Sequence, residues 1–110
     1  MPKIIRTEKE FKKLPKSFFK MPVAFIDNYY IGVAKFKGQY KLHNHNSDEL
    51  IYVVNGALKM QVNKRKYSLN AGDAVLIKKG EEHVSHSEVE TQILIFESQD
   101  IVINFLEDDE

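Results

Sequence analysis

Two histidines two residues apart, His43 and His45, followed four residues later by Glu49, are the residues best equipped for chemistry. In an extended strand, residues i and i+2 point to the same face, so both imidazoles face one way if residues 41–45 are extended. Glu49 opens the apolar run 50–54, which reads as the next strand. Asn44, Asn46, Ser47 and Asp48 supply loop-forming side chains between the two. A tight connection there returns Glu49 beside the imidazoles. Another histidine, His83, lies downstream. Imidazole and carboxylate together suit one divalent transition metal such as Zn, Fe, Mn, Ni or Cu. His43, His45, Glu49 and His83 are therefore read as one metal site in a small β-barrel. The plainer reading is four ordinary polar residues near strand ends, and Glu49 has a second alternative as a general base. Asp48 reads as a turn residue rather than a ligand. His86, three residues past His83, faces away in a regular strand.

The elements that must position these residues are mostly strands. Thr7-Glu8-Lys9-Glu10 has the form of a capping box, with Phe11 and Leu14 on one helical face. The spacing predicts a short helix over about residues 8–13, stopped before Pro15. Phe18, Phe19 and Met21 form an apolar group without clear period, expected across the outside of the barrel or at a partner, with a pocket lining as the alternative. From Pro22 onward the pattern is all-β, with strands expected over residues 23–26, 30–37, 41–45, 50–54, 58–62, 67–69, 74–77, 83–87, 92–97 and 101–105. Gly38 is read as closing the second of these, and Asn55-Gly56 as the strongest hairpin signal in the chain. Leu58, Met60 and Val62 alternate with Lys59, Gln61 and Asn63 as in a half-buried strand. Many short strands between turn signals suggest a sandwich or barrel.

Composition narrows the class of protein. A chain of 110 residues, 43% hydrophobic and 29% charged, suits one globular domain with a small core. The formal net charge is zero, which argues against broad nucleic-acid binding. A basic first stretch (Lys3 to Lys20) and an acidic end (Glu107 to Glu110) read as solvated termini. Without cysteine, neither a disulfide nor a thiolate metal site is available. No apolar run is long enough to span a membrane and no signal-peptide core opens the chain, so the expected location is cytoplasmic.

Two stretches resemble a known family. Gly38…His43-x-His45-x-x-x-Glu49…Gly56 is similar to the first cupin motif, and Gly72…Gly80-x-x-His83…Ser87 to the second. The resemblance covers about residues 38–87. It implies an all-β cupin double-stranded β-helix (a jelly-roll barrel) with a short N-terminal helix. The expected layout is an N-terminal extension over residues 1–21, the barrel over 22–106 and an acidic tail over 107–110. It also implies that His43, His45, Glu49 and His83 bind one divalent metal, its identity open among Fe, Mn, Ni and Zn. The spacing from Gly38 to His43 is one residue shorter than usual in the family. Lys78 stands where proline is usual and Ser87 where asparagine is usual; neither is a ligand position. Within the family the chain looks most like short single-domain proteins labelled mannose-6-phosphate isomerase-like.

Four protein ligands on a six-coordinate metal leave about two positions open, whereas a structural zinc site is closed and tetrahedral. Four ligands also satisfy that closed geometry, so the count alone leaves both open; the resemblance to cupins implies a metal-dependent enzyme of the dioxygenase, isomerase, epimerase or lyase class acting on a small oxygen-rich molecule. The alternative is a non-catalytic module that binds a sugar or small ligand around a structural metal. Tyr40, Tyr52 and Lys78 are within reach of a barrel mouth but read as packing or solvated charge. Leu50, Tyr52 and Val54 give one strand an apolar outer face, and a homodimer is expected to cover it. The expected partners are a small molecule and a second copy of the chain, with neither nucleic acid nor membrane.

Overall fold

The structure, a computed structural model, describes residues 1–17 and 19–106. Phe18 and the acidic tail at 107–110 lie outside the described residues. Among the described residues one helix, α1 (Thr7–Lys12), precedes eight strands: β1 (Lys20–Ile26), β2 (Tyr29–His45), β3 (Glu49–Asn55), β4 (Ala57–Val62), β5 (Arg65–Asn70), β6 (Ala74–Ile77), β7 (His83–Ser98) and β8 (Ile103–Phe105). No helix among the described residues is long and apolar enough to cross a membrane.

Strand β7 organises the barrel. It runs antiparallel to β2 from Tyr29↔Ser98 to His43↔His83. Along its other edge its C-terminal half pairs with β3 and its N-terminal half with β4. β3 continues into β6 and β4 into β5, so β2 and β7 each pass through both sheets of the barrel. This is the expected jelly-roll arrangement. Two strands are longer than expected. Gly38, at φ +93°, does not end β2 but sits at a register shift after Phe36, and the strand bends there and continues to His45. Likewise the two segments expected over residues 83–87 and 92–97 are one strand, β7.

Asn55-Gly56 is not a hairpin. β3 and β4 do not pair with each other; the chain turns the corner from one sheet to the other. Gly56 has φ +99°, and a Cβ there would lie 2.5 Å from Thr91 Oγ1. At the same corner the Ser87 and Thr91 hydroxyls are 2.7 Å apart, and the Ala57 amide donates to Thr91 Oγ1. The true two-residue hairpin turn is Asn63-Lys64 between β4 and β5, both with positive φ as a type I′ turn requires. The capping box is also corrected. Arg6, not Thr7, takes the cap position of α1, with no side-chain cap. Its carbonyl accepts from the Glu10 amide, and Glu8 and Glu10 place negative charge at the helix start.

Two apolar clusters hold the fold. The larger fills the barrel between the sheets and includes Phe36, Ile51, Val53, Leu58, Met60 and Ile95. The inward positions of β4 are those the alternation predicts. The smaller lies outside the barrel, where Phe11 and Leu14 pack on Val23 and Val33 with Val54 and Leu94 alongside. Burying Phe11 contributes about 1.5–3 kcal/mol and anchors the N-terminal segment that delivers Lys20 to the barrel.

Candidate metal centre

The end of β2 and the start of β7 bring three imidazoles together. His43 and His83 are register partners across the two strands, and His45 follows on the same face of β2. Ring centroids are 4.1 Å apart for His43–His83 and 4.8 Å for both pairs involving His45. One nitrogen from each lies within 4.8 Å of the others, and all three residues are buried. Two nitrogens bound to one ion at about 2.1 Å in a tetrahedral or cis-octahedral arrangement stand roughly 3.0–3.4 Å apart, so the rings must draw together by somewhat more than about an ångström to share one ion.

The backbone sets the ring orientation. His43 Nδ1 lies 2.7 Å from the Lys41 carbonyl, and His83 Nδ1 lies 2.9 Å from the Glu81 carbonyl. A carbonyl only accepts, so each Nδ1 carries the proton and each Nε2 keeps its lone pair. His83 Nε2 is buried with no hydrogen-bond partner among the described residues. A buried polar atom without a partner costs roughly 1–3 kcal/mol, and a metal ion is the partner this donor set fits. Burial holds all three imidazoles below their ordinary pKa, His45 at about 4 with the neighbouring His83 and His43 adding to the effect. The three are neutral imidazoles at pH 7.

Glu49 lies at the start of β3, with its carboxylate 3.9 Å from His45 Nε2. It stands beside the triad rather than inside the 4.8 Å cluster, because its carboxyl also shares a hydrogen bond with Glu97. Burial, then the Glu97 contact, pushes the Glu49 pKa well up. Glu97 in turn accepts from the Lys20 ammonium and the Tyr30 hydroxyl. Burial opposes its charge, but the hydrogen bonds from Glu49, Lys20 and Tyr30 outweigh that and lower its pKa.

Glu97, Lys20 and Tyr30 were not foreseen in the sequence. A signal was present for Glu97. Ile93 and Ile95 alternate inward along β7, and a carboxylate two positions on shares their face.

The loops around the site are tied to each other. Gly80 N–H donates to the His45 carbonyl at 3.0 Å. Asp48 accepts from the Lys79 amide at 2.8 Å and from Lys78 Nζ at 3.1 Å, so it does stabilise the turn before Glu49. Lys78 donates its own amide to Glu81 Oε1, which a proline at this position has no N–H to do. Lys78 and Tyr52 do not line the cavity beside the triad, whereas Tyr40 does, edge-on to His43 at 5.1 Å. That cavity is about 160 Å³.

The sequence matches the cupin domain model over residues 33–96. The chain belongs to the cupin family. This cupin is 34% identical over 77 residues to an uncharacterised protein, YdbB, of Bacillus subtilis strain 168, covering 68% of each chain. A cupin-2 domain protein from Shewanella frigidimarina superposes with a TM-score of 0.84 at 26% identity, covering 87% of this chain and 95% of that one. A hydroquinone 1,2-dioxygenase, PnpCD, solved with Cd2+ and 4-hydroxybenzonitrile, shares the fold with a TM-score of 0.72 at 16% identity, covering 82% of this chain and 69% of that one. These relatives support the superfamily; the finer likeness to mannose-6-phosphate isomerase-like proteins draws no support from them.

Proposed function

We propose that this cupin is a metal-dependent enzyme in which His43, His45 and His83, completed by Glu49, hold one divalent transition metal. The observation that carries the reading is the unpartnered Nε2 of His83, buried among neutral imidazoles beside a cavity. A closed structural site has no use for adjoining space, whereas a catalytic one keeps an open position. When bound, the metal supplies Lewis acidity or an activated water or, if it is iron, dioxygen chemistry.

The cavity revises the expected substrate. Phe36, Ile51, Leu58, Ile93, Ile95 and Ile103 are half of the residues that line it away from the triad, and the polar groups there are Lys20, Lys35, Tyr40, Glu49 and Ser85. A sugar placed there faces mainly hydrocarbon, and each hydroxyl left without a partner costs roughly 1–3 kcal/mol. The lining fits a small molecule with one oxygen-bearing end for the metal and an otherwise apolar body. An engineered apolar cavity of about 150 Å³ holds a benzene ring, so a single six-membered ring is the size expected here. Because a fold relative is a hydroquinone 1,2-dioxygenase, oxygen uptake with small ring diols is the assay to run first, ahead of isomerase and lyase assays.

Elemental analysis of untagged protein tests the site. The expected result is one Fe, Mn, Ni or Zn per chain in the wild type and a marked loss in His83→Ala. The same variant separates catalyst from binding module: a catalyst loses turnover while its far-UV circular dichroism persists, and a structural metal leaves a melted protein. Absence of metal after reconstitution with each ion removes the proposal.

A further inference from the structure

We infer that Glu97 is a positioning residue that aims the Glu49 carboxylate at the histidine cluster, and that Lys20 and Tyr30 fix Glu97 for that task. The inference rests on the reading of Glu49 as a ligand. Register places Glu97 on β7 directly between Glu49 on β3 and Tyr30 on β2. Lys20 reaches the same carboxylate from β1. Four strands thus contribute one side chain each to a single line, half-buried at Lys20 and Tyr30 and buried at Glu97 and Glu49, that ends 3.9 Å from His45 Nε2. Glu97 is 2% exposed. A carboxylate that deep inside a barrel requires partners, and it has three, one of which is the proposed ligand Glu49 itself.

A purely structural pairing of Lys20 with Glu97 would not require the second carboxyl. Placing Glu97 against Glu49 makes its hydrogen bond an orienting one, since a carboxyl rotates freely about its last bond unless something holds it. Outer partners that orient a ligand typically change metal affinity by about 10–100-fold when removed. Tyr30 and Lys20 both donate to one oxygen of Glu97, Oε1, and so restrict its rotation in turn.

Zn2+ affinity by chelator competition and the visible spectrum of the Co2+-loaded protein test the assignment without reference to turnover. Glu97→Ala is expected to weaken Zn2+ binding about 10–100-fold and shift the Co2+ spectrum. Glu97→Gln, whose side-chain amide keeps a hydrogen bond with Glu49, is expected to recover most of that loss. In a Glu49→Ala background, removing Glu97 is expected to change affinity less than about threefold, because the group it positions is gone. An unchanged affinity and spectrum in Glu97→Ala, with only a lower melting temperature, overturns the inference and leaves Glu97 a structural partner of Lys20. An equal loss in the Glu49→Ala background overturns it too. Should Glu97→Ala not fold, Tyr30→Phe removes one anchor of Glu97 and is expected to weaken Zn2+ binding in the wild type but not in Glu49→Ala; no difference there counts against the inference. A wild type that binds no Zn2+ overturns the metal reading with it, whereas normal Zn2+ binding by Glu49→Ala overturns this inference alone and leaves the three histidines standing.

Discussion

At the scale of residues, the three imidazoles and Glu49 are groups whose charged forms burial disfavours. Each of the three imidazoles is neutral because burial disfavours its cation, and His45 also faces two other rings. That has a consequence for stability in a chelator. An unfolded chain takes up protons on these histidines below about pH 6.5, while folded His45 resists until about 4. Across that window the unfolded state binds more protons, so stability must fall as the pH falls. Glu49 acts in the opposite sense: its raised pKa keeps a proton that the unfolded chain releases above the ordinary carboxylate range, so its contribution is lost as pH rises. Three histidines outweigh one carboxyl in the acid window. The melting temperature of chelator-treated protein is therefore expected to drop steadily from about pH 7 to about pH 4.5, and less steeply in His45→Gln. A flat profile in the wild type would remove this account of the buried imidazoles.

At the scale of elements, the corner at Gly56 shows what local sequence can and cannot specify. Asn55-Gly56 announces a positive φ, and the structure has one at Gly56. What the dipeptide does not encode is which strands lie on either side, since β3 pairs with β6 and β7 further along the chain, and β4 with its hairpin neighbour β5 and with β7. The same limit explains the site. His43 and His45 were legible because strand alternation is local, and His83 because the second motif resembles that of the cupins. Glu97 was not, because its importance comes from the register that sets β7 between β2 and β3. Gly38 was legible as a break in regularity but not as a bend inside one long strand. The corner also makes a prediction. Gly56→Ala is expected to cost at least about 2 kcal/mol, combining the positive-φ penalty with the overlap on Thr91. Chemical denaturation measures it. A cost below about 0.5 kcal/mol would show that the Ser87–Thr91 clasp yields easily.

At the scale of the whole molecule, the question is what covers the apolar surface outside the barrel. The sequence suggested a second copy over Leu50, Tyr52 and Val54. The structure puts Val54 against the cluster of Phe11 and Leu14, so the N-terminal segment of the same chain already takes part of that role. The exposed apolar side chains Phe19, Phe25, Ile26 and Tyr29 instead line the stretch containing β1 and the turn after it. β1 pairs only with β2 among the described strands, so its other edge is open. Open apolar edges invite pairing with another chain, which moves the proposed homodimer from the β3 face to the β1 edge. Such a contact would sit on the strand that supplies Lys20 to the cavity, so association and the order of the Lys20–Glu97 line would be coupled. Light scattering at micromolar concentration is expected to give twice the 12.8 kDa chain mass. Phe25→Glu is expected to restore the single-chain mass, and in the resulting monomer Zn2+ affinity is expected to fall with the loosening of β1. A wild type that scatters as a monomer would instead leave the β1 edge solvated and the metal centre complete within one chain.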